Sequence, residues 1–147
     1  MDRPPRSPSE PLFSWPLIGW SLLQGALAFA AVTAIFLFAL GNGLSENEAR
    51  ALAFFSLVSV IIGLILVNRS FSASLIAALR RPNPALGWIL LVVAVIMAAS
   101  LLVPSLRELF HFGPLHRGDL ALALGAGVTV FILLELMKSL WRTGLRF

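Results

Sequence analysis

The 147-residue sequence contains no cysteine, no tyrosine and only two histidines. The lack of cysteine excludes disulfide frameworks, thiolate metal sites, covalent haem attachment and dithiol redox chemistry. Charged residues are also scarce, at 12% of the chain, whereas soluble domains carry roughly a quarter. Because so few charges cannot cover a water-exposed surface, a soluble single-domain protein is excluded.

Hydrophobic residues make up 59% of the sequence, and the mean hydropathy is +0.92. They concentrate in four stretches, at about 15–40, 49–67, 86–103 and 120–137. Each is long enough to cross the hydrocarbon core as a helix, which takes roughly 17–25 residues. Because backbone polar groups must be paired inside lipid, the sequence predicts an all-α fold, an integral membrane four-helix bundle. The first stretch is too long for a signal peptide, so we expect it to be retained.

The predicted bundle spans residues 15–147 and follows a separate leading segment, residues 1–14. That segment is rich in proline and polar residues, which argues against a helix there, and we expect it to be cytoplasmic. Ser45 followed three residues later by Glu48 fits a capping box, so the second helix should begin near Ser45. Asp119 is the predicted cap of the fourth helix.

The basic residues are unevenly distributed, and the net charge is +4. Three lie on the side of the two outer loops, namely Arg50, Arg107 and Arg117. The other eight share the side of both termini, namely Arg3, Arg6, Arg69, Arg80, Arg81, Lys138, Arg142 and Arg146. Because positive charge follows the cytoplasmic side, both termini are predicted to be cytoplasmic. The excess charge therefore orients the chain, and no nucleic-acid partner is expected.

Two further patterns predict what the helices contact. All four tryptophans fall near the predicted cytoplasmic boundary and suit interfacial anchors, namely Trp15, Trp20, Trp88 and Trp141. Pairs of small residues at a spacing of four allow close approach between helices. These pairs are Ser21 with Gly25, Ala94 with Ala98, and Gly125 with Thr129.

Ionisable residues are absent from the central part of each predicted span. The most deeply placed acid is Glu135, near the end of the fourth span, and Lys138 is suitably spaced to pair with it. We interpret this pair as structural, with contact between Glu135 and a transported ion as the alternative. Other polar side chains could form interhelical hydrogen bonds or, alternatively, line an ion path. The candidates for hydrogen bonds are Gln24, Thr33, Ser56, Ser59, Ser100 and Thr129, and the first four of these are also the candidates for an ion path.

The sequence predicts no catalytic residue, no cofactor and no metal site. His111 and His116 share one loop, but zinc sites need three or four ligands, so we interpret both as solvated loop residues. Gly125 and Gly127 lie inside a predicted span without a following lysine, and therefore do not form a phosphate-binding loop. No arrangement of nucleophile, base and orienting acid is present either.

Five stretches resemble, in the same order, the C-terminal membrane region of cation-transporting P-type ATPases. The opening MDRPPR with EPLF at 10–13 is similar to the family's loop before the seventh transmembrane helix. EARALAF at 48–54 resembles the start of the eighth helix, and LILVNRS at 64–70 resembles its end. VPSLRELF at 103–110 is similar to the segment after the ninth helix, and ELMK at 135–138 fits the tenth.

The resemblance implies a C-terminal module with both ends cytoplasmic, which matches the orientation derived from charge. The chain lacks the family's phosphorylated Asp-Lys-Thr-Gly-Thr motif and its ATP-binding domains, so it is not expected to be an enzyme by itself. Where some calcium pumps place a glutamate in the eighth helix, this chain has Ile61, which cannot ligate a hard cation. The opening falls within a family loop, which leaves a split gene, a truncated remnant or an excised domain as alternatives.

The leading functional hypothesis is a membrane support module of a cation pump, located in the plasma membrane. Its expected partners are the lipid bilayer and other transmembrane helices, which belong either to the rest of a pump or to further copies of the chain. A small independent transporter or channel, acting as an oligomer, is the alternative. A membrane enzyme of the quinone or haem type is least favoured, because the spans contain no histidine or cysteine.

Overall fold

The computed structural model describes residues 15–69 and 84–144, apart from the side chains of 139 and 141–144. All regular structure in this part of the chain is helical. The helices are α1 (Trp15–Gly41), α2 (Glu46–Arg69), α3 (Pro84–Leu102), α4 (Pro104–Leu109) and α5 (Arg117–Gly144). Helices α1, α2, α3 and α5 are each long and apolar enough to cross a membrane. The predicted all-α membrane fold is therefore confirmed, while the leading segment, 1–14, lies outside the described residues.

Helix α5 extends beyond the predicted span at both ends. The span was placed at 120–137, whereas the helix begins at Arg117 and continues to Gly144. Hydropathy locates only the part of a helix that suits lipid, and a helix need not end where its sequence becomes polar. The apolar spans therefore mark the membrane-crossing parts rather than the full helices.

Helix α2 occupies the centre of the bundle and packs against α1 and α5. In its most apolar stretch, 44% of the residues are buried, compared with 6% in α3. Helix α1 runs antiparallel to α2, whereas α5 runs parallel to it. Helix α3 reaches the other helices near its C-terminal end, where Met97 and Leu101 pack on the core and Ser100 is buried.

Two hydrophobic clusters form the core, one toward each end of the bundle. The end at which α2 terminates is called here the Lys138 end, and the end at which α2 begins is called the loop end. The loop-end cluster contains Ala39, Ala49, Ala51, Leu52, Phe55, Phe112 and Ala123. The cluster toward the Lys138 end contains Trp20, Ala28, Val60, Val67, Val130 and Leu134.

The tryptophans differ in their surroundings. Trp15 and Trp88 are 85% and 67% exposed, as expected of side chains that meet lipid or its interface. Trp20 is only 3% exposed and packs in the core, so its prediction as an interfacial anchor is wrong. A large aromatic ring serves equally well as packing volume between helices, and its position near a helix end does not distinguish the two roles. The side chain of Trp141 lies outside the described part.

Short polar contacts fix the connections at the loop end. The predicted capping box is present: the Ser45 backbone N–H donates to Oε2 of Glu48 at 2.8 Å, and the Glu48 N–H donates to Oγ of Ser45 at 3.3 Å. Asp119 also caps its helix, but from inside the first turn, where its Oδ2 accepts the His116 backbone N–H at 2.9 Å. The Gly113 N–H donates to the Asn47 carbonyl at 2.9 Å and ties the last loop to the start of α2.

Candidate functional site

The predicted polar residue of α1, Gln24, pairs with a side chain of α2. Its Nε2 donates to Oδ1 of Asn68 at 3.0 Å, and Nδ2 of Asn68 donates back to Oε1 of Gln24 at 3.3 Å. Gln24 is 7% exposed. Because both groups of its amide are engaged, Gln24 joins α1 to α2 at the Lys138 end.

Lys138 makes the second polar link at the same end. Its Nζ lies 3.2 Å from Oε1 of Glu135, which confirms the predicted pair, and 3.4 Å from the carbonyl oxygen of Val67. The Lys138 side chain is only 5% exposed. Val67 lies in the last turn of α2, at the negative end of the helix dipole. The ammonium therefore connects α5 to the C-terminus of α2.

The buried position of Lys138 and its contact with α2 were not foreseen from the sequence. The i, i+3 spacing pointed to Glu135, but Val67 is 71 residues away in the chain, and no local pattern signals so distant a contact. The same limitation applies to Asn68, which lies 44 residues from Gln24. The sequence shows which residues near the ends of the spans are polar, but the partners of these residues depend on how the helices pack.

The other predicted polar residues lie further from the Lys138 end. Ser56 is fully buried, and its Oγ donates to the Leu52 carbonyl of its own helix at 2.8 Å. Ser59 is 7% exposed and lies at the contact between α2 and α5. Thr33 is partly buried on α1. The structure therefore places Gln24 and Glu135 at one end and the two serines nearer the middle of α2.

Glycines bring α2 and α5 into close contact. A Cβ atom added to Gly127 would lie 2.5 Å from the Ser59 carbonyl oxygen, and one added to Gly63 would lie 2.9 Å from that of Gly127. Neither position can take a side chain without movement of a backbone, so the approach requires glycine.

Among the described residues, the closest helix contacts are not made by the predicted small-residue pairs. Added Cβ atoms at Gly25 and Gly125 would meet nothing within 4 Å, and Ala94 and Ala98 are exposed. A spacing of four shows that two residues share a face but not which neighbour that face meets. Close approach to helices outside this chain therefore stays a prediction.

Apolar grooves run along both sides of α5. One lies between α2 and α5, has a volume of about 420 Å³ and is lined by Ser59, Leu66, Leu124, Val128 and Phe131 among others. The other lies between α1 and α5, has a volume of about 470 Å³ and includes Leu27, Ala31, Gly125, Ala126 and Thr129.

The described residues contain no group of three or more histidine, aspartate or glutamate side chains suited to a metal ion. His116 is 84% exposed and lies 3.6 Å from the Asp119 carboxylate. The described part of the chain instead has paired polar contacts between helices and apolar grooves along α5.

Comparison with known proteins identifies the family. Residues 1–140 match the family described as "Cation transporting ATPase, C-terminus". The chain therefore belongs to this family, whose domain is the C-terminal membrane part of cation ATPases and not the catalytic domain. Together with the four apolar helices, this makes the chain an integral membrane protein and a membrane module of the cation-transporter type.

Curated relatives agree with the family assignment. The chain is 32% identical over 121 residues to "Probable cation-transporting ATPase F" of Mycobacterium bovis and to proteins of the same name from two Mycobacterium tuberculosis strains. The match covers 80% of this chain but only 13% of each relative. The resemblance read from the sequence is thus confirmed, and the chain corresponds to a small part of those proteins.

Proposed function

We propose that the chain is the C-terminal support module of a cation-transporting P-type ATPase. It would contribute to ion transport only together with the other helices and the ATP-binding domains of a pump. The observation that carries the proposal is the family match over residues 1–140. The proposal assigns the use of ATP to those other domains.

The module holds its helices together through the contacts at the Lys138 end and the glycine contact of α2 with α5. In this proposal Gln24 and Glu135 are structural residues rather than ion contacts. Gln24 uses its amide on Asn68, and Glu135 lies beside the ammonium of Lys138. Such pairs hold the module in one shape while other domains of the pump move.

The partner helices of this proposal pack beside α5. The groove between α1 and α5 includes small residues, namely Ala31, Ala121, Gly125, Ala126 and Thr129. Membrane helices associate through such residues because these let the backbones approach closely. The small pair Gly125 and Thr129 would then serve a contact with another helix rather than one inside the chain.

The proposed location is the plasma membrane, with both termini in the cytoplasm. The charge distribution supports this orientation. Since the chain has no cysteine, single-cysteine variants can report it without background. A membrane-impermeant maleimide applied outside intact cells should label Ser105→Cys, at the loop end, and should not label Ser9→Cys. The reverse pattern would contradict the orientation.

Co-expression tests the partnership. A mycobacterial relative shortened by the region that matches this chain would be produced together with the tagged chain and purified in mild detergent. We expect a stable complex, which Gly125→Leu should disrupt because its side chain would fill the groove. Val95→Leu, on the exposed surface of α3 and outside both grooves beside α5, is the matched control. Failure of the two parts to associate, with both folded, would contradict the proposal.

An independent oligomeric transporter was the alternative hypothesis from the sequence. The grooves beside α5 are lined almost entirely by apolar residues, which does not favour a hydrated path through the described part. If the alternative were correct, the chain alone would give ion flux in proteoliposomes, and Glu135→Gln would abolish it. The module proposal expects no flux above that of empty liposomes.

A further inference from the structure

A third groove separates α2 from α3 at the Lys138 end. Its volume is about 520 Å³, within the range of roughly 300–1,000 Å³ that is usual for ligand sites. One wall belongs to α2, and the other to the first turns of α3. The lining residues are Ile61, Leu64, Ile65, Asn68, Arg69, Ala85, Leu86 and Ile89.

The lining of this groove suits an acyl chain better than a helix. Its walls consist mainly of branched aliphatic side chains, with Ala85 as the only small residue in the set. The contact between α2 and α5, in contrast, is made by glycines whose backbones nearly touch. Close packing of a membrane helix depends on such small residues, whereas a flexible hydrocarbon chain can fit between bulky ones.

The polar residues of the groove lie together at one end. Asn68 and Arg69 are the last residues of α2, and α3 begins opposite them at Pro84. Arginine and lysine side chains at the end of a membrane-spanning helix meet the headgroup region of a bilayer and attract anionic lipids. Apolar walls with a guanidinium at the interfacial end match the two parts of an anionic phospholipid.

We propose that the groove between α2 and α3 binds one anionic phospholipid. Its phosphate lies beside Arg69, and an acyl chain runs between Ile61, Ile65 and Ile89. This inference does not rest on the proposed pump function, because it concerns only the described surface of the chain and holds for either orientation in the membrane.

Native mass spectrometry of the purified full chain tests the proposal. The detergent-solubilised protein would be offered equal amounts of phosphatidylglycerol and phosphatidylcholine. We expect a preference for phosphatidylglycerol of about five-fold, the effect of one basic residue near a headgroup. Arg69→Gln should reduce this preference to about one. Arg50→Gln, an exposed arginine at the loop end, should leave it unchanged.

A second pair of variants tests the acyl part of the site. Ala85→Trp would fill the groove and should reduce retention of both lipids, whereas Ala30→Trp, on the exposed surface of α1, should not. These two tryptophan variants also test the proposal if Arg69→Gln fails to fold. Equal binding of the two lipids to the unaltered chain would overturn the proposal. Equal effects of the two arginine variants, or of the two tryptophan variants, would also overturn it.

Discussion

Substitution of Gly127 by alanine tests the packing of α2 against α5. The new Cβ would lie 2.5 Å from the Ser59 carbonyl oxygen, 2.7 Å from its carbon and 2.9 Å from the Ser59 Cβ. Ordinary contact begins at 3.4 Å, so the backbones would have to separate by about 0.9 Å. Because the two helices also meet at Gly63, the shift would loosen packing along α2, at a cost of about 1–3 kcal/mol.

Gly125→Ala is the matched control, since it lies on the same helix and its Cβ would meet nothing within 4 Å. Both substitutions increase helix propensity by up to about 1 kcal/mol, and this gain cancels when the two variants are compared. The Gly127 variant should therefore be less stable than the Gly125 variant by about 1–3 kcal/mol. Reversible unfolding in mixed micelles, followed by circular dichroism, measures the difference. Equal stability of the two variants would refute the close approach of α2 and α5.

Three further predictions concern the polar contacts and the last loop. Lys138→Met roughly keeps the volume of the side chain but removes the hydrogen-bond donor to the end of α2. The free energy of unfolding should therefore fall by about 1–3 kcal/mol in the same assay. A double-mutant cycle of Gln24→Leu and Asn68→Leu should give a coupling energy of about 0.6 kcal/mol, and at most about 1.7. No coupling would mean that the amide pair does not form. Gly113→Ala would place its Cβ 2.6 Å from Cγ of Glu48, in the first turn of α2, and should therefore speed hydrogen exchange in that turn. Gly118→Ala, whose Cβ would meet nothing within 4 Å, should leave this exchange unchanged.

Much of the fold follows from the sequence, because each helix satisfies its own backbone and shows its length in its own apolar stretch. The capping box of Ser45 and Glu48 was predictable for the same reason, since its partners lie three residues apart. The pair of Glu135 and Lys138 is equally local. These features depend on positions within a single turn and do not require knowledge of which helices are neighbours.

The contacts between helices were not predictable in this way. The sequence shows several small residues, but only the packing selects Gly63 and Gly127 as the close contacts and leaves Gly125 exposed. Trp20 was misjudged because a tryptophan near a helix end suits both an interface and a core. In a membrane, neighbouring helices and lipid are equally apolar, so hydrophobicity does not reveal which face of a helix is buried.

We propose that the chain works as part of a pump and not alone. The most direct measurement is ATP hydrolysis in nanodiscs by the shortened mycobacterial relative, assayed with and without the co-purified chain. We expect cation-dependent hydrolysis to appear only when the chain is present and to be lost with Gly125→Leu. Equal hydrolysis without the chain, or unchanged hydrolysis with the groove filled, would contradict it.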